Sequence, residues 1–452
     1  MDIDAKSDKS QMSLYRAIWR WHFFAGLLIL PALLNLAITG SLYLFKDEIN
    51  NSLFSYRYNV RPADTRLDPE AIVQSAVNAL PGSTATAYRS PPSDTRSAIV
   101  TVTQAGVSTL VFVDPHYGQI LEQVRADQEF NYVVKRIHSW AYFGDWTNRL
   151  IEIAGGFTLV LVVTGLYLWW PRQQSGGIMS IRGNPSRRVF WRDLHAVTGV
   201  FAGVFIFFLA LSGMPWTGVW GSNVSKWANE RNLGYPAQLW DNVPKSTKVT
   251  EDLLSEVGWA VERAPVPLSA AHRAGAQQSV GLNWIVEQAK TAGIDRGFEV
   301  TLPTDPTGVY SAAIYPDEVS GQRMIHFDQY SGKALVDLSY AQYPFLGKTI
   351  EWGISVHQGQ EYGRLNQLLM LVTCLVIILM SVTGVIMWWK RRPAGNLGVP
   401  PKPRSRTIYA GLWVIAGLFS IAFPLSGFAI VAMVAIDQIL IFLIGFSRRA
   451  AA

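Results

Sequence analysis

Four of the seven histidines fall into two matched pairs. His22 and His195 each stand 17 residues before a hydroxyl-glycine pair, Thr39-Gly40 and Ser212-Gly213. His138 and His357 each stand 26 residues before a Thr-Gly pair, Thr164-Gly165 and Thr383-Gly384, and two tryptophans and a basic cluster follow each of these. A neutral imidazole offers a metal-binding nitrogen, and an ionisable side chain in lipid is costly enough to be a functional candidate. A single histidine at a membrane edge is as readily an interfacial anchor. Two pairs at repeated spacing point instead to two bis-imidazole sites, whose natural occupant is haem.

The elements that must position these residues are lipid-length. With 49% hydrophobic residues in 452, the chain is too apolar for an ordinary soluble protein and too long for one unit. The expected fold class is a membrane all-α helical bundle carrying two α+β domains, with six transmembrane helices favoured and five the alternative. The expected order is a cytoplasmic N-terminus at 1–17, a span at 18–45, an exported domain at 46–148 and a span at 149–171. A cytoplasmic loop at 172–194 and a span at 195–215 follow, then an exported domain at 216–364 and a span at 365–390. A second cytoplasmic loop at 391–407 leads to one or two spans within 408–446. The first span has no small-residue cleavage site after it and is read as a true span. The net charge of +6 is a topology signal and no sign of nucleic-acid binding, because the basic residues gather in the loops assigned to the cytoplasm. The two large segments then face the opposite side, which is the periplasm if the membrane is the inner membrane of a Gram-negative bacterium. The one cysteine, Cys374, lies in a span and leaves the exported domains without an intrachain disulfide.

An internal repeat organises the chain. Residues 14–171 read as span, exported domain, span, and 187–390 repeat the plan. Both units place Trp-Arg just before the first histidine (Trp19-Arg20, Trp191-Arg192). Both exported domains near their end through Asp-x-x-x-Gly, with Asp114 and Gly118 matching Asp328 and Gly332. Each domain predicts one helix (DPEAIVQSAVNAL, LNWIVEQAKTAG) on a small antiparallel sheet of its own. Residues 408–446 begin a third copy, in which Ser426-Gly427 is preceded at 17 residues by Tyr409. A phenol is a poor second imidazole, so this copy reads as a buttress, with a break expected near Pro424–Gly427.

Depth decides the pairing. His22 and His195 open spans running outward, whereas His138 and His357 precede spans running inward, so His22 pairs with His195 and His138 with His357. Pairing within a unit would ask one iron to bridge the membrane. From His138 to Trp170, continuous helix would measure about 48 Å at 1.5 Å per residue, which places His138 and His357 at or above the outer interface. Gly26 and Gly199, four residues after their histidines, leave room for a flat macrocycle or for close helix packing. His116 and His326 read as ordinary surface or sheet residues, and His272 carries no signal. Glu152 and Asp437 lie nearest membrane depth, as proton carriers or as solvated helix ends. Dinucleotide, P-loop, CxxC, HExxH and GxSxG motifs are all missing, so reductant must come from a partner or a membrane quinol.

With these units defined, the chain resembles the PepSY-associated transmembrane family, which includes inner-membrane di-haem ferric-siderophore reductases. The resemblance rests on the repeated span–domain–span units, the Asp-x-x-x-Gly endings, the Thr-Gly…Trp-Trp spans and the span-opening histidine with its nearby glycine. It implies two haem b groups with His22, His195, His138 and His357 as axial ligands. It implies electron transfer from the cytoplasmic side or quinol pool to a periplasmic ferric siderophore. Two other readings stand beside it: a PepSY-type binding or protease-regulating membrane protein, and a quinol-linked haem subunit serving another oxidoreductase.

Overall fold

The computed structural model describes residues 2–172, 176–269, 278–393, 398–400 and 406–435. Helix α1 (Asp2–Leu44) contains the first apolar span, Leu14–Leu44. Short helices α2 (Lys46–Leu53) and α3 (Ser55–Tyr58) lead to α4 (Pro69–Ala79). Asp68 caps α4 by accepting from the Ala71 amide at 2.8 Å, and Pro69 occupies its first turn, where no amide donor is needed. Strands β1 (Thr84–Arg89), β2 (Ala98–Gln104), β3 (Val107–Val113) and β4 (Ile120–Arg125) follow, then helices α5 (Phe130–His138), α6 (Asp145–Trp169), α7 (Arg188–Gly213) and α8 (Trp220–Glu230). The second half adds β5 (Lys245–Val249), β6 (Pro265–Pro267), α9 (Leu282–Thr291), β7 (Glu299–Thr301), β8 (Val309–Ile314), β9 (Arg323–Asp328) and β10 (Ala334–Ser339). It closes with α10 (Phe345–His357), α11 (Gly363–Arg391), α12 (Arg406–Ala422) and a last described helix, α13 (Pro424–Ala435).

Among the described residues, four helices are long and apolar enough to cross a membrane: Leu14–Leu44, Asp145–Trp169, Arg188–Trp216 and Gly363–Arg391. The C-terminal stretch is two shorter apolar helices that part at Phe423, just ahead of a proline that cannot continue the amide ladder. Residues 436–446, Asp437 and His272 lie outside the described residues, as does the Tyr409 side chain.

The chain divides into a helical unit (Met1–Ser41, Arg136–Val224, Leu368–Ala452) and a sheet-bearing unit (Leu42–Lys135, Ser225–Gln367). In the helical unit, small residues let helices approach closely. Ala25, Ile29 and Ala32 of α1 cluster with Ala154 and Phe157 of α6, Ala416 of α12 and Ile430 of α13. A Cβ on Gly156 would overlap the Ser426 side chain, so the third copy's Ser-Gly pair packs on α6.

The sheet-bearing unit departs from expectation. Instead of two small sheets, β10-β9-β8-β7-β1-β2-β3-β4 form one antiparallel sheet of eight strands. The repeat is plain in it: α4 with β1 to β4, and α9 with β7 to β10. The first strands of the two halves pair, with Ala87, Tyr88 and Arg89 opposite Thr301, Val300 and Glu299. Arg89 and Glu299 also form an ion pair at 2.9 Å. One core serves both halves, with Ile72 and Ala76 of α4, Ile285 and Ala289 of α9, and Val100, Val111, Val300 and Ile325 from the strands. A separate hairpin, β5-β6, was not foreseen.

The two Asp-x-x-x-Gly turns are built alike. Gly118 and Gly332 donate their amides to the carbonyls of Asp114 and Asp328 at 2.9 Å each, with φ of +69° and +67°. A Cβ at Gly332 would also overlap the Trp284 ring of α9. Gly332→Ala is therefore expected to destabilise the sheet-bearing unit by about 1–3 kcal/mol, read as a lowered denaturant midpoint; an unchanged midpoint would contradict the strain.

His116 is not a surface residue. It is 6% exposed, and its ring nitrogens both donate to carbonyls, Nδ1 to Thr65 at 2.8 Å and Nε2 to Asp94 at 2.9 Å. The carbonyls of Asp94 and Thr65 raise its pKa by favouring the doubly protonated ring. His326 is a sheet residue as expected. Wholly buried in β9, it pairs Nδ1 with Ser311 Oγ at 2.7 Å, and burial lowers its pKa to about 4.

Candidate functional site

Three of the four candidate histidines sit on Thr-Gly seats within the helical unit. Nδ1 of His22 on α1 lies 2.9 Å from Thr164 Oγ1 on α6. His195 on α7 meets Thr383 on α11 at the same distance. His138, the last residue of α5, meets Thr39 on α1, again at 2.9 Å. Each threonine spends its own proton on a carbonyl of its own helix: Thr164 on Val160 at 2.6 Å, Thr39 on Asn35 at 2.6 Å, and Thr383 on Met380 at 3.0 Å. The hydroxyl oxygen must then accept from the imidazole, so Nδ1 carries the hydrogen and Nε2 keeps its lone pair for a metal.

The glycine of each pair gives the ring a floor. A Cβ at Gly165 would stand 3.4 Å from His22 Cε1, at Gly40 3.5 Å from His138 Cε1, and at Gly384 4.0 Å from His195 Cε1. Sequence reasoning used these pairs as register marks belonging to the histidine before them in the chain. They serve a histidine from another helix, a relation that spacing along one chain does not express.

His22 and His195 come together. Their ring centroids are 6.4 Å apart and their planes are 86° to each other. A metal–imidazole bond of about 2.0–2.1 Å, plus about 1.1 Å from nitrogen to ring centre, gives roughly 6.3 Å for two imidazoles ligating one metal from opposite sides. The observed spacing suits that arrangement.

His138 is set by a different route from the one the sequence suggested. The helix stops at His138 and a new one starts at Asp145, so the continuous helix behind the 48 Å estimate does not exist. Trp140 takes φ +53° in the break, and Asn35 of α1 donates to the carbonyls of Ile137 and His138 at 3.1 Å each. These bonds satisfy carbonyls left open at the end of α5. Asn35 and Thr39 are one helical turn apart on α1; an amide in an apolar run marks Asn35 in the sequence as unlike a signal peptide, but nothing there ties it to His138. From His22 to Thr39, 17 residues of α1 rise about 26 Å, so the His22 and His138 sites are separate.

His357 belongs to the sheet-bearing unit, where it is the last residue of α10. An asparagine early in the next helix ties down a carbonyl at the end of each histidine-bearing helix. Asn148 donates to Ser139 O and Asn366 to Val356 O, both at 2.9 Å.

Gly26 meets only Leu161 in ordinary contact at 3.8 Å, as a space-giving residue should, whereas the space at Gly199 is taken by the Met380 tip at 2.8 Å. Glu152 is 1% exposed, which excludes a solvated helix end. Its carboxylate accepts from the Val219 and Trp220 amides at 2.8 and 3.1 Å, capping the start of α8. Near His195, the fully buried Asp193 holds Arg182 at 2.8 Å and Arg192 at 2.5 Å. The two Trp-Trp endings match, with ring centroids 6.3 Å apart in both pairs.

In comparison with known proteins, the family model for the PepSY-associated TM region matches residues 19–391, most of the chain. No curated protein matches it.

Proposed function

The chain belongs to the PepSY-associated transmembrane family, and from that premise we propose that it is a di-haem b reductase of the bacterial inner membrane. It passes electrons from a quinol or a cytoplasmic reductase to a periplasmic ferric siderophore. The observation that carries this reading is the facing pair His22 and His195, 6.4 Å between ring centres with each Nδ1 engaged by a threonine. Two imidazoles so held present Nε2 lone pairs and match the donor set of a bis-histidine haem. For the second haem the proposal assigns His138 and His357, on the duplicated sequence register.

Haem bound at these sites supplies one-electron transfer, and the chain's own residues do the rest. Thr164, Thr383 and Thr39 fix tautomer and ring plane, as the partners of metal-bound histidines generally do. The apolar helices around them exclude water, and the sheet-bearing unit presents polar surface to a soluble substrate. One electron converts the chelated Fe(III) to Fe(II), a softer ion that the hard oxygen donors of a siderophore hold less tightly. No proton transfer or covalent step is required, in keeping with the motifs the sequence lacks.

Purified protein is expected to carry about two haems per chain by pyridine haemochrome, with Soret and α bands that sharpen on dithionite reduction. Mixing the reduced protein with ferric siderophores should reoxidise it, and a ferrous chelator should capture the product. Colourless protein would refute the reading. Coloured protein indifferent to every ferric chelate would point to the quinol-linked haem subunit.

A further inference from the structure

The three Thr-Gly seats do more than hold rings in place. We propose that Thr164 and Thr383 are positioning residues that set the electronic character of the His22/His195 site, and that Thr39 does the same for His138. The inference rests on the haem reading above and adds what these hydroxyls contribute to it.

An imidazole whose Nδ1–H meets a carboxylate gains electron density and becomes a stronger donor to the metal. At His22 the acceptor is a neutral hydroxyl oxygen at 2.9 Å whose proton is already committed to a backbone carbonyl, and at His195 the Met380 carbonyl bonds the ring beside the same kind of hydroxyl. Such an acceptor fixes the tautomer while adding little basicity, which disfavours Fe(III) less than no acceptor would and more than a carboxylate would. The potential is thereby held at an intermediate level.

The ring planes follow from the same bonds. Each imidazole could otherwise turn about its bond to the metal, but an Nδ1 tied to a hydroxyl and a ring edge on a glycine floor leave one orientation. Two seats on α6 and α11 hold the His22 and His195 planes 86° apart. Near-perpendicular axial imidazoles leave the iron d orbitals nearly degenerate. The ferric site then gives a highly anisotropic low-spin EPR signal in place of the rhombic signal of parallel planes.

The test compares wild type with Thr164→Val, Thr383→Val, Thr39→Val and Thr164→Ser in the full-length protein. Valine keeps the shape and removes the oxygen, whereas serine keeps the oxygen. Thr164→Val and Thr383→Val should retain haem, raise the midpoint potential of one haem and change its large-g EPR feature, leaving the other haem unmoved. Thr39→Val should do the converse. Thr164→Ser should match wild type in both measurements. Unchanged potentials and EPR in both inner valine variants would overturn the proposal, and so would a Thr164→Ser variant as shifted as Thr164→Val. If Thr164→Val lost its haem, Thr383→Val would decide, unchanged potential and EPR in it overturning the proposal. Absence of haem from the wild type would sink the functional reading itself, a result distinct from either of these.

Discussion

Replacing His195 by alanine is expected to lower haem content from about two to about one per chain and to reduce ferric-siderophore reduction to background. The same result is expected for His22→Ala, because the two ring centres lie 6.4 Å apart and are proposed to share one haem, and the double variant should lose no more haem than either single one. His138→Ala should remove the other haem. The fold should survive these changes. Thr383 keeps its bond to the Met380 carbonyl when His195 is gone, so no buried hydroxyl is stranded, and the cost is that of a truncated side chain, about 2–5 kcal/mol. Pyridine haemochrome on detergent-purified variants measures the stoichiometry. Loss of both haems from each single variant, in folded protein, would contradict the two-site reading.

The second large effect concerns pH. Glu351 of α10 is 2% exposed, accepting from the Ala260 amide at 2.8 Å with Gln322 Nε2 at 3.4 Å. Burial pushes its carboxyl up to about 7, and burial with the nearby Glu251 charge does the same for Glu262. The unfolded chain returns each to the usual carboxylate range, so between about pH 4.5 and 7 the native state binds the extra protons. Their contribution to stability is complete below that window and is lost as pH rises through it, by up to about 3 kcal/mol for Glu351. The denaturant midpoint of the sheet-bearing unit should therefore fall from pH 5 to pH 8, the two carboxyls together outweighing His326, which is protonated only in the unfolded chain over the lower part of that range and gives the opposite slope there. Glu351→Gln, which keeps an acceptor for Ala260 without the charge, should flatten the decline and be more stable than wild type at pH 8. An equal slope in the variant would refute the assignment.

Much of this was legible in the residues. The apolar runs pointed to the four helices that are long and apolar enough to cross a membrane, and the strand-like runs SAIVTVTQAG, STLVFV, FEVTLP, GVYSAAIYP and QRMIHFDQYSG fall on β2, β3, β7, β8 and β9. The Asp114 and Asp328 turns announced themselves through Asp and Gly at fixed offsets. Other features leave no local trace. β7 was readable as a strand within FEVTLP, but neither it nor β1 reads differently whether its edge is free or paired, so the single sheet was invisible. The approach of His22 to His195 was readable because both open spans from the same side, but the threonine seats were not. A hydroxyl bonding across helices has no signature in the spacing along its own chain. His116 misled for a related reason: a turn is usually exposed, and only the carbonyls of Thr65 and Asp94 closing over it say otherwise.

The joining of the two halves through β1 and β7 also has a timetable. Arg89 waits for Glu299, which lies 210 residues later in the chain. At the ordinary pace of synthesis, about 5–20 residues per second, that is roughly 10–40 s. For that interval β1 is an unfinished edge, open to any passing strand. Its irregular register at Ala85–Ala87, and the Pro91-Pro92 pair just past its end, make it a poor template for strangers. The newborn half-sheet is thus guarded by the same strand that later completes it.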